Sequence, residues 1–159
     1  MSIMGIALAI IGAAASVALA GIGSILGVAM AGEAGAGVTS QKSELFGKVL
    51  LLQALPATQG IYGFLGAFWV LLKIGLLSGN PAALSVNTGW QILFACLPVA
   101  LGGLVSAIYQ GRVSVAGLHM IIKDESTAGK GVIMAAMVET YAVLGLLASI
   151  LLINGIKVG

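Results

Sequence analysis

The chain has 159 residues, of which 60% are hydrophobic and only 8% are charged, and its mean hydropathy is +1.15. A water-soluble domain of this length cannot hide so much apolar surface in one core, so the composition excludes that class and predicts an integral membrane protein. The formal net charge is +2 and the chain has no basic run, so nothing indicates binding to nucleic acid.

Apolar segments long enough to cross a bilayer recur four times along the chain. About 20 apolar residues span the hydrocarbon layer, and we predict helices near residues 2–38, 46–76, 88–122 and 128–156. The turn sequence SGNP at residues 78–81 separates the second helix from the third. The N-terminal segment carries no Lys or Arg before its apolar stretch and is longer than the core of a secretion signal. We therefore interpret it as the first helix.

The basic residues predict the orientation in the cell membrane. Five of the seven lie at or toward the turns that join helix 1 to helix 2 and helix 3 to helix 4, namely Lys42, Lys48, Arg112, Lys123 and Lys130. Because basic residues are enriched on the cytoplasmic side, we expect both hairpin turns in the cytoplasm and both termini outside.

The second half of the chain repeats the first at an offset of 82 residues. The sequence VALAGIGS at residues 17–24 aligns with VALGGLVS at 99–106, and the same offset aligns positions in the second helix of each half. The predicted fold is therefore an all-α membrane protein with four transmembrane helices in two tandem-duplicated helical hairpins. The hairpins, expected over residues 1–78 and 79–159, run parallel because an even number of spans separates them.

Glu139 is the only charged residue in the stretch 131–156. A carboxylate at mid-membrane depth costs roughly 2.5–3.5 kcal/mol on insertion scales, so such a residue indicates an ion or proton site. The repeat places Ala57 at the equivalent position of the first hairpin, which predicts one site per chain. A buried polar contact, or a pair with Arg112, is the alternative explanation for this acid.

Residues on two neighbouring helices are predicted to lie at the depth of the acid. One helical face carries Leu55, Thr58, Gln59 and Tyr62 at the spacing i, i+3, i+4, i+7. Pro56 removes a backbone N–H and crowds the preceding turn, so we expect carbonyl oxygens there, including that of Leu55, to be available as ligands. Counted from the turns at about 1.5 Å per residue, Gln110 falls in the same layer.

These oxygens bear on which ion is bound. Hard cations prefer carboxylate, carbonyl, amide and hydroxyl oxygens. A proton needs only the carboxylate, so the additional oxygens of Thr58, Gln59 and Gln110 favour sodium. We expect the Tyr62 hydroxyl to donate a hydrogen bond to Glu139 and to hold it in a closed, ion-loaded rotamer.

Three sequence motifs together resemble a known family. LPATQGIYGF at residues 55–64, YQGRVSVAG at 109–117 and MAAMVETYAVLG at 134–145 are similar to the duplicated rotor-ring proteolipid, a subunit K or c-type chain, of V-type ATPases. The resemblance is strongest to the sodium-transporting bacterial members and extends over essentially all four helices.

The resemblance implies a homo-oligomeric ring in lipid, with helices 1 and 3 inside and helices 2 and 4 outside. It implies Na⁺ as the transported ion, held by the Leu55 carbonyl and by side chains of Thr58, Gln59, Gln110 and Glu139, with Tyr62 bonded to the glutamate. It further implies a stator subunit with an essential arginine, central-shaft subunits and a soluble head that hydrolyses ATP. The chain has no GxxxxGK[ST] loop of its own, so we expect a non-catalytic subunit.

Two alternatives remain open from the sequence. The same rotor could carry protons, with Thr58 and Gln59 hydrogen-bonding a protonated Glu139. A non-rotary transporter or channel built from four helices is the other alternative, although repeats in such transporters are more often inverted than parallel. Arg112 is not predicted to be a ligand, and we expect it to extend toward the cytoplasm or into the ring centre.

Overall fold

The computed structural model of the chain describes residues 3–158, and within that range it is helical without a β-strand. The helices are α1 (Ile3–Gln41), α2 (Phe46–Ala54), α3 (Thr58–Lys73), α4 (Val86–Lys123) and α5 (Ala128–Gly155). Short 3₁₀ turns at Ser43–Leu45, Leu55–Ala57 and Glu125–Thr127 precede α2, α3 and α5. Within residues 3–158, four segments are long and apolar enough to cross a membrane, which confirms the predicted helix class and number. Residue 2, where the first helix was predicted to begin, and the outer limits 1 and 159 of the two hairpins lie outside the described residues.

The helices α1 and α4 run parallel and touch along most of their length because small residues line the contact. A Cβ atom added to Gly23 would lie 2.7 Å from the Cα of Leu104, and one added to Gly111 would lie 2.5 Å from the Cα of Gly27. Small residues allow such close approach of two backbones in a membrane. The equivalent helices of the two hairpins therefore form one layer.

The remaining helices pack antiparallel against this layer. A Cβ atom added to Gly63 of α3 would lie 2.6 Å from the Cβ of Ala20 on α1, and one added to Gly145 of α5 would lie 2.6 Å from the Pro98 carbonyl oxygen on α4. The segment α2–α3 also contacts α4 and α5. This arrangement brings α3, α4 and α5 together halfway along the bundle, where Glu139 lies.

The end of α3 falls at Lys73, three residues before the predicted end. Gly75 follows in the left-handed region with φ of +72°, and its N–H donates to the carbonyl of Leu72 at 3.1 Å. The next N–H, that of Leu76, donates to the carbonyl of Leu71, also at 3.1 Å. These two bonds form a Schellman motif, which satisfies the last carbonyls of the helix and stops it.

The helix α4 begins two residues earlier than predicted, because the Ser85 hydroxyl accepts a hydrogen bond from the N–H of Thr88 at 3.1 Å and caps it. The helix also continues through Pro98, which cannot donate to the preceding turn. The N–H of Val99 donates to the hydroxyl of Ser149 on α5 at 3.1 Å. A serine of the neighbouring helix thus supplies an acceptor beside the proline.

The two hairpin turns lie side by side at one end of the bundle. The Lys42 ammonium donates to the carbonyl oxygen of Ile122 at 2.8 Å, and Lys48 forms a salt bridge with Glu125. Both side chains of that salt bridge are exposed, so it contributes little to stability. It does show that the turn of one hairpin lies against the turn of the other.

Candidate ion-binding site

Glu139 lies in the middle third of α5, 11 residues after Ala128, or about 17 Å along the helix axis. Each oxygen of its carboxylate accepts a hydrogen bond from a neutral group. The Tyr62 hydroxyl donates to Oε1 at 2.5 Å, and Nε2 of Gln110 donates to Oε2 at 3.3 Å. Two helices other than its own therefore fix the orientation of this carboxylate.

No basic side chain among residues 3–158 lies within salt-bridge distance of Glu139, since the ion pair in that part of the chain joins Lys48 and Glu125. Arg112 is exposed and lies over the ring of Tyr109, with its guanidinium carbon 5.0 Å from the ring centroid. Arg112 therefore does not form the ion pair with Glu139 that was the alternative explanation for this acid. An ionised carboxylate at this depth needs its countercharge from another source.

Two fully buried amides continue from the carboxylate, because Gln110 bonds to Glu139 and Gln59 bonds to Gln110. Nε2 of Gln110 donates to the carbonyl of Ala135 at 3.1 Å in addition to Glu139. Nε2 of Gln59 donates to Oε1 of Gln110 at 2.5 Å and to the hydroxyl of Ser106 at 3.1 Å. A primary amide has two N–H donors, so both amides have used their donors on protein acceptors. Their carbonyl oxygens are fixed in direction as a result.

The helix break at Leu55–Ala57 places the remaining oxygens. This single 3₁₀ turn follows from Pro56, and it lets the carbonyl of Leu55 accept the backbone N–H of Thr58. The Thr58 hydroxyl also donates to that carbonyl at 3.0 Å and lies 3.3 Å from Oε1 of Gln59. The sequence predicts that the Leu55 carbonyl lacks a hydrogen-bond donor. The structure differs, because the tighter turn brings both the N–H and the hydroxyl of Thr58 to that carbonyl.

All six residues singled out from the sequence lie in one chain of hydrogen bonds. In order of contact these are Tyr62, Glu139, Gln110, Gln59, Thr58 and Leu55. Ser106 and the carbonyl of Ala135, both of which accept from the amides, were not identified from the sequence. A signal for Ser106 was present, because it ends the repeated octapeptide at the position equivalent to Ser24.

The chemistry of this cluster is that of one negative carboxylate surrounded by neutral oxygens. Oxygen atoms of the carboxylate, of the Gln59 amide and of the Thr58 hydroxyl retain unused lone pairs, because each oxygen can accept more than one bond. Such hard, neutral and anionic oxygens suit a hard metal cation. The single negative charge matches a monovalent one.

Known proteins resemble this chain in sequence. The family of the ATP synthase C subunit matches the chain twice, over residues 11–70 and 93–152, which confirms the predicted tandem duplication. The chain is 47% identical over 122 residues to V-type sodium ATPase subunit K of Enterococcus hirae, covering 77% of this chain and 74% of that protein. It is 38% identical over 152 residues to A-type ATP synthase subunit K of Methanocaldococcus jannaschii, covering 96% of this chain and 64% of that protein, less than two thirds of its length.

Proposed function

Because the chain belongs to the family of the ATP synthase C subunit, we propose that it is a rotor subunit of a V-type ATPase that binds Na⁺ and carries it across the membrane during ATP-driven rotation. The four apolar helices and this family membership make it a multi-pass integral membrane protein. The similarity to the Enterococcus hirae protein, a subunit of a sodium ATPase, supports sodium as the transported ion.

The observation that carries the proposal is the convergence of neutral oxygens on the one acid at this depth. The proposed sodium ligands are carboxylate, amide and hydroxyl oxygens of Glu139, Gln110, Gln59 and Thr58, together with the Leu55 carbonyl. When the Thr58 hydroxyl turns its proton toward the Gln59 oxygen, it frees a lone pair of the Leu55 carbonyl for the ion and offers one of its own. Tyr62 then keeps the carboxylate closed over the ion through its 2.5 Å bond.

Charge balance explains how such a site would work in a rotor. An isolated carboxylate is costly inside lipid, whereas a carboxylate paired with Na⁺ is neutral overall and can pass through the bilayer. At the stator, an arginine of another subunit would replace Na⁺ as the countercharge and release the ion into an exit channel. The ion would then be replaced from the opposite side as the ring turns.

The assembly follows from the same proposal. Copies of the chain would form a ring, with the α1 and α4 layer inside and the α2–α3 and α5 layer outside. The two hairpins, residues 1–78 and 79–159, would insert with their turns in the cytoplasm, facing the central shaft, and both termini outside. ATP would be hydrolysed by other subunits, so this chain would be a non-catalytic part of the complex.

Carbodiimide labelling of Glu139 in purified rings tests the choice of ion. A carbodiimide reacts with a protonated, accessible carboxyl group, so bound Na⁺ should slow the labelling of Glu139 at neutral pH. The readout is the fraction of modified chain by mass spectrometry across a sodium titration, with potassium at equal ionic strength as the control. Labelling that is equally fast with and without Na⁺ would favour the proton-carrying rotor.

A detergent-solubilised particle of one chain would favour the third possibility, a non-rotary transporter. The expected result is a particle many times the 15.9 kDa of a single chain. Measuring the mass of the same preparation used for labelling separates the question of assembly from the question of the ion. A proton-carrying ring gives a large particle without sodium protection, whereas a sodium-carrying monomer gives a small particle with sodium protection.

A further inference from the structure

We propose that Ser106 is a positioning residue that turns the Gln59 amide so that its oxygen faces the ion. This inference rests on the proposed function, because it names a residue that determines sodium affinity at the same site. Ser106 lies on α4, one turn before Gln110, and its side chain is buried. It belongs neither to the oxygens proposed as ligands nor to the groups that hydrogen-bond Glu139.

The contact that supports this role is the hydrogen bond from Nε2 of Gln59 to the Ser106 hydroxyl, at 3.1 Å. The second N–H of the same amide donates to Gln110 at 2.5 Å. With both donors engaged, the amide cannot rotate by half a turn without losing these bonds. In the rotated state its NH₂ group would point at the cation and its oxygen would point at the oxygen of Gln110, which is repulsive on both sides.

A matching contact fixes the backbone next to this amide. The N–H of Gly60, the residue after Gln59, donates to the hydroxyl of Ser24 on α1 at 2.8 Å. Ser24 and Ser106 are equivalent in the two repeats, at the offset of 82 residues. The two parallel helices α1 and α4 thus present the same serine to two consecutive residues of α3, one to the backbone and the other to the side chain. The equivalent serines of the two repeats therefore both position the segment around Gln59.

The geometry separates the effect on sodium from the effect on protons. Ser106 has no hydrogen bond to Glu139 and is separated from it by two amides, Gln59 and Gln110, whereas Tyr62 and Gln110 donate to Glu139 directly. Loss of the Ser106 hydroxyl should therefore weaken sodium binding while the protonation of Glu139 in sodium-free buffer is unchanged. A general loosening of the helix packing would change both.

The experiment compares Ser106→Ala with wild type in purified rings by the carbodiimide assay. We expect the Na⁺ concentration for half protection to rise about tenfold, because a buried donor that loses its acceptor costs about 1.4 kcal/mol. We also expect the pH dependence of labelling without Na⁺ to be unchanged. The hydroxyl-retaining variant Ser106→Thr should recover most of the lost affinity.

The matched control is Ser114→Ala on the same helix. Ser114 is also buried, and its hydroxyl has no hydrogen-bond partner among the described residues. This variant removes one buried hydroxyl from α4 outside the chain of contacts around Glu139, so its sodium titration should coincide with that of wild type. If Ser106→Ala fails to form rings, Ser106→Cys takes its place, since a thiol is a weak acceptor of similar shape and should also raise the half-protection concentration.

The outcomes distinguish this inference from the proposed function. If wild-type rings show no protection by Na⁺, the proposed function fails, and the inference falls with it. If wild-type rings are protected and the Ser106 variant follows the same sodium curve, the inference alone is wrong. A parallel shift of the sodium curve and of the sodium-free pH profile also overturns it, because that result indicates a loss of packing rather than of amide orientation.

Discussion

The hydroxyl of Tyr62 lies 2.5 Å from a carboxylate oxygen of Glu139 and joins the first hairpin of the chain to the second. A short O–H···O bond to a carboxylate is stronger than one between neutral groups. The acid of one repeat is therefore held by a phenol of the other, so the site requires both repeats although only one carries the charge.

The substitution Tyr62→Phe removes this bond and keeps the ring. Glu139 would then retain only the longer bond from Gln110, so we expect the closed carboxylate to open more often. A hydrogen bond to a charged group is worth about 1.5–3 kcal/mol, which predicts a loss of sodium affinity of at least about tenfold. The measurement is the sodium concentration that half protects Glu139 from carbodiimide. Tyr141→Phe is the control, because Tyr141 lies on α5 close to Glu139 and is 71% exposed.

The substitution Glu139→Gln should abolish sodium transport and leave assembly intact. Glutamine has nearly the same shape but no charge, so a bound Na⁺ would be uncompensated at mid-membrane depth. We expect ATP-driven sodium uptake into vesicles to fall to background, with a normal yield of assembled complex. Glu44→Gln, at an exposed acid in the turn Ser43–Leu45, is the matched control and should transport at the wild-type rate. Full transport by Glu139→Gln would refute the proposed site.

Much of this site could be predicted because two simple regularities control it. Helical periodicity placed Thr58, Gln59 and Tyr62 on one face, and the nearly constant rise per residue placed Gln110 at the depth of Glu139. Both regularities depend only on spacing along the chain, and α3, α4 and α5 keep that spacing through the site although the turn at Leu55–Ala57 interrupts the second span.

Ser106 could not be identified in the same way, because a serine in an apolar helix usually bonds to its own backbone. Ser16 does so here, donating to the carbonyl of Gly12 at 3.2 Å. Which serine faces another helix depends on how the helices are rotated against each other, and spacing along one helix does not determine that rotation. The sequence leaves the proton-carrying alternative open for the same reason. It shows which residue types surround Glu139 but not the directions in which their oxygens point.

The contact between α1 and α4 predicts that Gly23 tolerates no larger residue. A Cβ atom at Gly23 would meet backbone atoms of Leu104, including its Cα at 2.7 Å, and neither helix can move away without losing its other contacts. We expect Gly23→Ala to destabilise the protein by about 1–3 kcal/mol through this overlap. Thermal unfolding of the purified particle measures the effect.

The control for that substitution is Gly37→Ala on the same helix, since a Cβ atom at Gly37 meets no heavy atom within 4 Å. It replaces the same residue type inside α1, so both variants gain the same intrinsic helix propensity. Equal melting temperatures for the two variants would contradict the close packing of α1 against α4.

Asp124, in the turn between α4 and α5, is predicted to stabilise the protein in a pH-dependent way. Hydrogen bonds from the Ser126 hydroxyl and from the Ser126 N–H, the latter at 3.0 Å, lower the pKa of the Asp124 carboxyl, and the charge of Lys130 adds to this. A carboxyl whose pKa is lowered on folding stabilises the folded state above its unfolded pKa. That stabilisation is lost as the pH falls through the lowered, folded pKa.

Asp124→Asn tests this sign directly, because the amide oxygen can still accept from the Ser126 N–H but carries no charge. We expect wild type to melt at a slightly higher temperature than the variant at neutral pH, and the difference to shrink as the pH is lowered below the usual pKa of aspartate. Carbon NMR of labelled aspartate gives the pKa itself. A difference that grows toward acidic pH would contradict the assigned hydrogen bonds.

The orientation of the chain in the membrane can be tested with a matched pair of serines. Ser78 is exposed in the connection between α3 and α4, and Ser126 is exposed in the turn at the opposite end of the bundle. The chain has a single cysteine, the buried Cys96, so Cys96→Ala gives a background without thiols. In that background Ser78→Cys should react with a membrane-impermeant maleimide in intact cells, whereas Ser126→Cys should react only after permeabilisation. This follows from the basic residues near the turns, which favour the cytoplasmic side. The reverse pattern would place the turns outside, away from any ATP-hydrolysing head, and the proposed docking of the shaft against these turns would then be wrong.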